Sequence, residues 1–148
     1  MRQAQVLLAF DFGLKRIGIA SGDTLTRVAR PLPAAAIGVK GPDWEAIGER
    51  VQALGPTQLV VGAPYNADGT EGVLMRAVRG FASELEQRFA LPVHLVDERF
   101  SSLEANAALK AMRASGERRR RVARSDLDSA AAAVILGRFL EGEGKVSP

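Results

Sequence analysis

Three acidic sites, far apart in the chain, each fall where an apolar element ends or begins. Asp11 closes QVLLAFD, Asp97 and Glu98 close VHLVDE, and Asp128 lies at the head of DSAAAAVIL. A carboxylate at the margin of a buried element is costly unless something compensates it. Three converging carboxylates repel one another, and without a cation one tends to stay protonated. Mg2+ or Mn2+ removes that penalty. Magnesium in particular favours a few carboxylates plus waters and substrate phosphate over a full protein cage. Two such ions, roughly 3.5–4 Å apart, activate water and stabilise a leaving oxygen. The chemistry this pattern fits is phosphodiester hydrolysis, with no histidine or serine nucleophile required.

Each acid has a plainer reading beside the functional one. Asp11 before a glycine can simply cap the next turn. Yet Asp11-x-Gly13 also closes a central strand, and sheets of parallel type gather their sites at carboxyl edges. Gly13 lets backbone approach a phosphate closely. Lys15 and Arg16 then serve as phosphate cations, or else as a solvated hairpin tip. Along a strand, side chains alternate, so only one of Asp97 and Glu98 easily faces a site, and Arg99 can pair with the other. Ser125 and Asp128 have capping-box spacing. By helical periodicity, however, Asp128 shares a face with Ala131, Ala132, Ile135 and Phe139, while Asp126 points roughly 160° away. The run Ala130–Ala133 lets that helix approach a sheet closely. The single histidine, His94, falls inside a strand pattern and reads as a packing residue.

The elements that must position these residues follow from the hydrophobic pattern. Residues 5–11 form a continuous apolar run, the mark of a central strand buried on both faces. Gly13 and Gly18 bracket a turn into a second strand. Residues 27–37, with Pro31 and Pro33, read as an edge strand, since proline cannot donate to a ladder. Ile47, Val51 and Leu54 mark a helix opened at Pro42-Asp43 and stopped by Gly55-Pro56. QLVVGAP at 58–64 is another buried strand. A polar loop, YNADGTEG, leads into a helix from about 72 to 90 striped by Leu74, Val78, Phe81, Leu85 and Phe89. VHLVD at 93–97 is a further buried strand. Ser101 and Glu104 predict a helix from about 102 to 114. A basic loop or frayed helix end follows, then a last helix over about 126–140. The pattern predicts one domain over 1–140 and a polar, disordered tail over 141–148. The fold class is α/β, a mixed sheet with helices on both faces.

Composition narrows the function. The chain has 148 residues, 47% apolar and 25% charged, with no cysteine. Disulfides, thiol catalysis and Cys-ligated metals are thereby excluded, and a cytoplasmic setting fits. No apolar run approaches the ~18 residues of a membrane span. Net charge is +3, but the pI is about 9.8 and six arginines fall between Arg113 and Arg124. That excess suits a polyanionic partner. Aromatics are few, with one Trp and one Tyr, so a stacking platform for single strands is not expected.

Four motifs in order resemble the YqgF family of pre-16S rRNA nucleases, relatives of the Holliday-junction resolvases. They are Asp11-Phe12-Gly13-x-Lys15-Arg16-Ile17-Gly18-x-Ala20, Gly62-x-Pro64 with Asp68-Gly69-Thr70-Glu71-Gly72, Asp97-Glu98-Arg99 with Ser101-Ser102, and Asp128-Ser129-Ala130-Ala131 with Ile135-Leu136 and Phe139-Leu140. The likeness runs from about residue 6 to 140. It implies an RNase H-like fold with a mixed five-stranded sheet. It also implies metal-dependent cleavage of nucleic acid, with a role in maturing the 5′ end of small-subunit ribosomal RNA. By position, Asp11, Glu98 and Asp128 match the family's acidic triad, the ligands expected for Mg2+ or Mn2+.

Beside that triad, Lys15, Arg16, Arg99 and the run Arg118, Arg119, Arg120 and Arg121 are candidates for nucleic-acid contact. Gly13, Gly69 and Thr70 are candidates for a phosphate loop. The expected partner is structured RNA or branched DNA, and the expected state a monomer or weak dimer. Two alternatives stay open. One is a Holliday-junction resolvase acting on branched DNA. The other is a non-catalytic nucleic-acid-binding factor, since the strand LVVGA lacks the acid that many RNase H-like nucleases carry there. An actin-like or sugar-kinase ATPase is disfavoured, because such enzymes use two related domains. Nor is Gly13-x4-Gly18 a P-loop, as Lys-Ser/Thr does not follow it.

Overall fold

The computed structural model describes residues 4–64, 72–97, 124–142 and 145–146, with backbone alone at 124–128 and 145–146. Strands β1 (Val6–Phe12) and β2 (Arg16–Asp23) form the expected antiparallel hairpin. Its turn is closed by the Gly13 N–H, which donates to the Arg16 carbonyl at 2.9 Å. A Cβ on Gly13 would lie 2.7 Å from that same oxygen, so only glycine fits. Gly18, expected to flank the turn, instead sits inside β2 as the register partner of Asp11.

Strand β3 (Ala29–Gly38) continues the sheet antiparallel to β2 and ends against the two-residue β4 (Gly41–Pro42). On the other side of β1, β5 (Gln58–Ala63) and β6 (Val93–Asp97) add in parallel, and β7 (Lys145–Val146) closes antiparallel on β6. The order is β4-β3-β2-β1-β5-β6-β7. The five long strands are those predicted. The short β4 and β7 extend the sheet to seven, because two-residue pairings rest on backbone hydrogen bonds and carry no side-chain alternation to read. Strand β7 also corrects the expectation of a wholly disordered tail. Strand β3 is bordered by β4 only at Ile37–Gly38, which leaves its proline-bearing part at the margin as expected.

The helices are α1 (Trp44–Leu54), α2 (Met75–Phe89) and α3 (Arg124–Leu140). Asp43 caps α1, its carboxylate accepting from the Ala46 N–H at 3.1 Å. Gly55 ends it in the left-handed region, φ 58°. The stripe of α2 is buried at Met75, Val78, Phe81 and Leu85. Together with Ile47 of α1, Val78, Phe81 and Leu85 cover Leu8, Phe10, Leu59 and Val61 on one face of the sheet. The opposite face, Leu7, Ala9, Val60 and Val96, is covered by Ala132, Ile135 and Leu136 of α3. The strict alternation along β1 therefore feeds two cores, and helices lie on both faces. The helix predicted over 102–114 and the basic segment after it lie outside the described residues.

At the far end of the hairpin, Asp23 organises the β2–β3 turn. Its carboxylate accepts from the Leu25 N–H (2.9 Å), the Thr26 N–H (2.7 Å) and the Thr26 hydroxyl (3.0 Å). These bonds, chiefly from Thr26, hold its pKa below the ordinary carboxylate value of 3.8. A group whose folded pKa is depressed contributes stability above its unfolded pKa and loses it as pH falls through the folded value. Asp23→Asn should therefore melt lower than wild type at pH 7 and converge with it below about pH 4, which flattens the acid fall in melting temperature. An unaltered acid profile would show that the turn does not depend on the charge.

Candidate metal and nucleic-acid site

Asp11 stands near the carboxyl end of the central strand and is half-buried. By the alternation of β1 it shares the face of Leu7 and Ala9, the face that α3 covers. Its partner on β2 is Gly18. One further step of the β1–β5 register, after Phe10 and Val61, brings Gly62 beside it on β5. Gly62 in turn pairs with Val96 on β6. Asp11 is thus flanked in the sheet by two glycines, both buried. The acid missing from β5 is replaced by bare backbone.

Besides its apolar packing, helix α3 is hydrogen-bonded to the sheet beside this row through Ser129. Ser129, 2% exposed, donates its hydroxyl proton to the Leu32 carbonyl at 2.6 Å and accepts from the Ile19 N–H at 3.3 Å. Ile19 and Leu32 are register partners just past a bulge, where Pro33 and Ala34 of β3 stand against Gly18 of β2. The hydroxyl fills the ladder where the bulge opens it. The connection to Asp11 is short: Ile19 follows Gly18, Gly18 pairs with Asp11, and Ser129 follows Asp128. The helix stripe differs slightly from the predicted one. Ser129 and Leu136 are buried with Ala131, Ala132 and Ile135, while Phe139 is only partly so. Position 128 lies one turn ahead of Ala131 and Ala132.

Lys15 is exposed at the hairpin tip and Arg16 is half-buried at the start of β2. The Lys15 carbonyl accepts from the Ile37 N–H at 2.9 Å, tying the tip to the end of β3. Gly13 belongs to the turn. Its N–H is committed to Arg16, so it is not the amide donor of a phosphate loop. Asp97 follows Leu95 by two, and Leu95 packs on the α1/α2 side; alternation therefore puts Asp97 on the face away from Asp11. Val96, two residues before position 98, lies on the α3 face. Glu98, Arg99, Gly69, Thr70 and Arg118 to Arg121 lie outside the described residues, as does the side chain of Asp128. His94 is a packing residue. Its Nε2 is 2.8 Å from Gln58 Oε1, and its ring lies 5.1 Å from that of Phe139.

The strand directions bring the N-terminal ends of α1, α2 and α3 to this same carboxyl edge. Helix N-termini carry partial positive charge and favour anions. Among the described residues no three acidic or histidine side chains cluster. The donor chemistry nevertheless fits a hard divalent cation. The carboxylates the sequence implicates are Asp11, Glu98 and Asp128, and the backbone beside Asp11 in the sheet is that of Gly18 and of Gly62. Sequence reasoning gave Ser129 no contact of its own, and the structure shows it bonded to two strands. Its signal was a hydroxyl in register with Ala132 and Leu136 on an apolar helix face.

The mixed sheet with helices on both faces is that of the RNase H-like resolvases. It superposes on Thermus thermophilus RuvC solved in complex with a Holliday junction substrate, with a TM-score of 0.56 at 15% identity over 95% of this chain and 98% of that one. The yeast mitochondrial Holliday junction resolvase Ydc2 matches with a TM-score of 0.52 at 10% identity over 90% and 77%. Residues 5–142 match the RuvX family, described as Holliday junction resolvase, and the chain belongs to that family. It is 43% identical to a Cronobacter sakazakii protein over 93% of this chain and 97% of that one. It is 40% identical to a Paraburkholderia phytofirmans protein over 92% and 88%. Both carry the name "Putative pre-16S rRNA nuclease". No helix among the described residues is long and apolar enough to cross a membrane.

Proposed function

We propose that the chain is a metal-dependent nuclease that hydrolyses phosphodiester bonds in structured RNA and trims the 5′ end of pre-16S ribosomal RNA. In this reading it works in the cytoplasm as a monomer or weak dimer, from a single domain over 1–140 followed by the polar tail 141–148. The observation that carries the proposal is Asp11, held half-buried at the carboxyl edge between two glycines, with the start of α3 secured beside it. The names of the relatives supply the substrate.

Asp11, Glu98 and Asp128 would hold Mg2+ or Mn2+. A cation bound there supplies charge compensation for the scissile phosphate and a more acidic water. The start of α3 is tied to β2 and β3 through Ser129, and β2 pairs with the strand of Asp11, which supports a shared site for Asp11 and Asp128. Lys15, Arg16, Arg99 and Arg118 to Arg121 bind the phosphate backbone. Gly69 and Thr70 offer backbone amides ahead of α2. The N-terminal ends of α1, α2 and α3 add positive potential along the same edge.

The test is incubation of purified protein with Mn2+ and either an RNA bearing the precursor end or a four-way DNA junction. Site-specific cleavage of the RNA is expected. Preferential cutting of the junction would favour the resolvase reading, which the family's description supports. Tight binding with no nicking of either would favour the non-catalytic factor. Binding should also weaken with salt. Each phosphate contact contributes about 0.7–0.9 to the slope of log affinity against log salt, so Lys15→Ala should lower that slope by about one contact's worth. An unchanged slope would remove Lys15 from the interface.

A further inference from the structure

We propose that Ser129 is a positioning residue for the cleavage centre. Its hydroxyl locks the start of α3 into the β2–β3 bulge and so sets the placement of Asp128 against Asp11. The inference rests on the nuclease reading above and goes beyond it by naming what holds the two ligands in register.

A buried hydroxyl must find partners, and Ser129 finds both outside its own helix, on the backbones of β2 and β3. It is the buried polar residue of the described core. The neighbouring contacts are made by Ala131 and Ala132, both buried. Alanines allow close approach, but a smooth alanine face resists sliding weakly. Ile135 and Leu136 hold the far part of the helix, and the methyls of Leu136 and Leu140 would come within 3.0 and 3.3 Å of a Cβ on Gly22. At the site end, directional hydrogen bonds are what fix the helix along its axis. A slip of one residue would move α3 by about 1.5 Å and turn it by about 100°. Magnesium demands near-ideal geometry, and ligand distances in metal sites hold to about 0.2 Å. The Ile19–Ser129 bond joins the residue next to Asp11's strand partner to the residue next to Asp128, so it lies where such tolerance must be enforced.

A purely structural serine would affect stability alone. Three variants separate the roles: Ser129→Ala, Ser129→Thr, and Phe81→Leu as a destabilised control on the opposite face of the sheet. Two midpoints are read for each, that of Mn2+ binding in an isothermal titration and the Mn2+ concentration giving half-maximal cleavage, with the Mn2+-induced rise in melting temperature followed beside them. Loss of groups that orient metal ligands typically costs 10–100-fold in metal affinity. Ser129→Ala is expected to raise both midpoints at least about tenfold. Ser129→Thr, which keeps the hydroxyl, should retain midpoints near the wild type even if it melts lower. Phe81→Leu should melt lower with unchanged midpoints. Equal midpoints in wild type and Ser129→Ala would overturn the positioning role and leave the nuclease reading standing. Wild-type protein showing neither a Mn2+-induced rise nor cleavage would overturn both.

Discussion

Replacing Asp11 by asparagine is expected to reduce metal-dependent cleavage by about 10³-fold or more while leaving nucleic-acid binding and melting temperature nearly unchanged. The substitution keeps shape and removes charge. A metal centre contributes several kcal/mol of transition-state stabilisation, and each 1.36 kcal/mol is a factor of ten. Asp11 is half-buried near the end of β1, and its neighbours across the sheet, Gly18 and Gly62, carry no carboxylate to take its place. In the proposed reading binding is spread over Lys15, Arg16, Arg99 and Arg118 to Arg121, which the change does not touch. Single-turnover cleavage of a labelled RNA, with filter binding of the same RNA, separates the two effects. Parallel loss of cleavage and binding in a folded variant would count against Asp11 as a ligand, as would a variant that cuts within tenfold of wild type.

The largest effect on stability is expected at Phe81. This α2 side chain is 4% exposed. Its ring meets Phe10 edge-on at 5.7 Å, Phe12 at 5.1 Å and Trp44 in a stack at 5.5 Å. Trp44 carries Arg88 over its other contacts, 4.3 Å from the ring centre. Phe81 therefore joins β1, α1 and α2. Truncation of a buried Phe to Ala costs about 3–5 kcal/mol, against a typical domain stability of about 5–15 kcal/mol. At about 2–4 °C per kcal/mol for this chain length, Phe81→Ala should melt about 6–20 °C lower. Chemical and thermal denaturation measure this directly. A loss below about 1 kcal/mol would mean that the site can collapse around the void.

Much of this architecture was legible because its signals are local. The apolar run ending at Asp11 announced a strand buried on both faces, and the two cores on either side of β1 bear that out. Asp43, Gly55 and the α2 stripe announced helix limits through capping and periodicity. The alternation at Asp97 and Glu98 left two choices; the packing of Leu95 puts Asp97 on the α1/α2 face, and Glu98 lies outside the described residues. What stayed hidden depends on distant backbone. Strands β4 and β7 have no side-chain pattern. Gly18 looked like turn punctuation because its role, a bare place opposite Asp11, exists only once the hairpin register is set. Ser129 looked neutral because its partners, Ile19 and Leu32, are 110 and 97 residues away.

That separation has a consequence for the molecule's life before it is complete. Asp128 follows Asp11 by 117 residues (128 − 11). At about 5–20 residues per second of synthesis, roughly 6–23 s pass between the appearance of the first carboxylate and the last. Until the final helix docks, the bulge lacks its plug and the emerging hairpin offers phosphates no hydrolytic machinery. On the proposed reading, a newly made copy leaves the RNA around it intact until its last helix is in place.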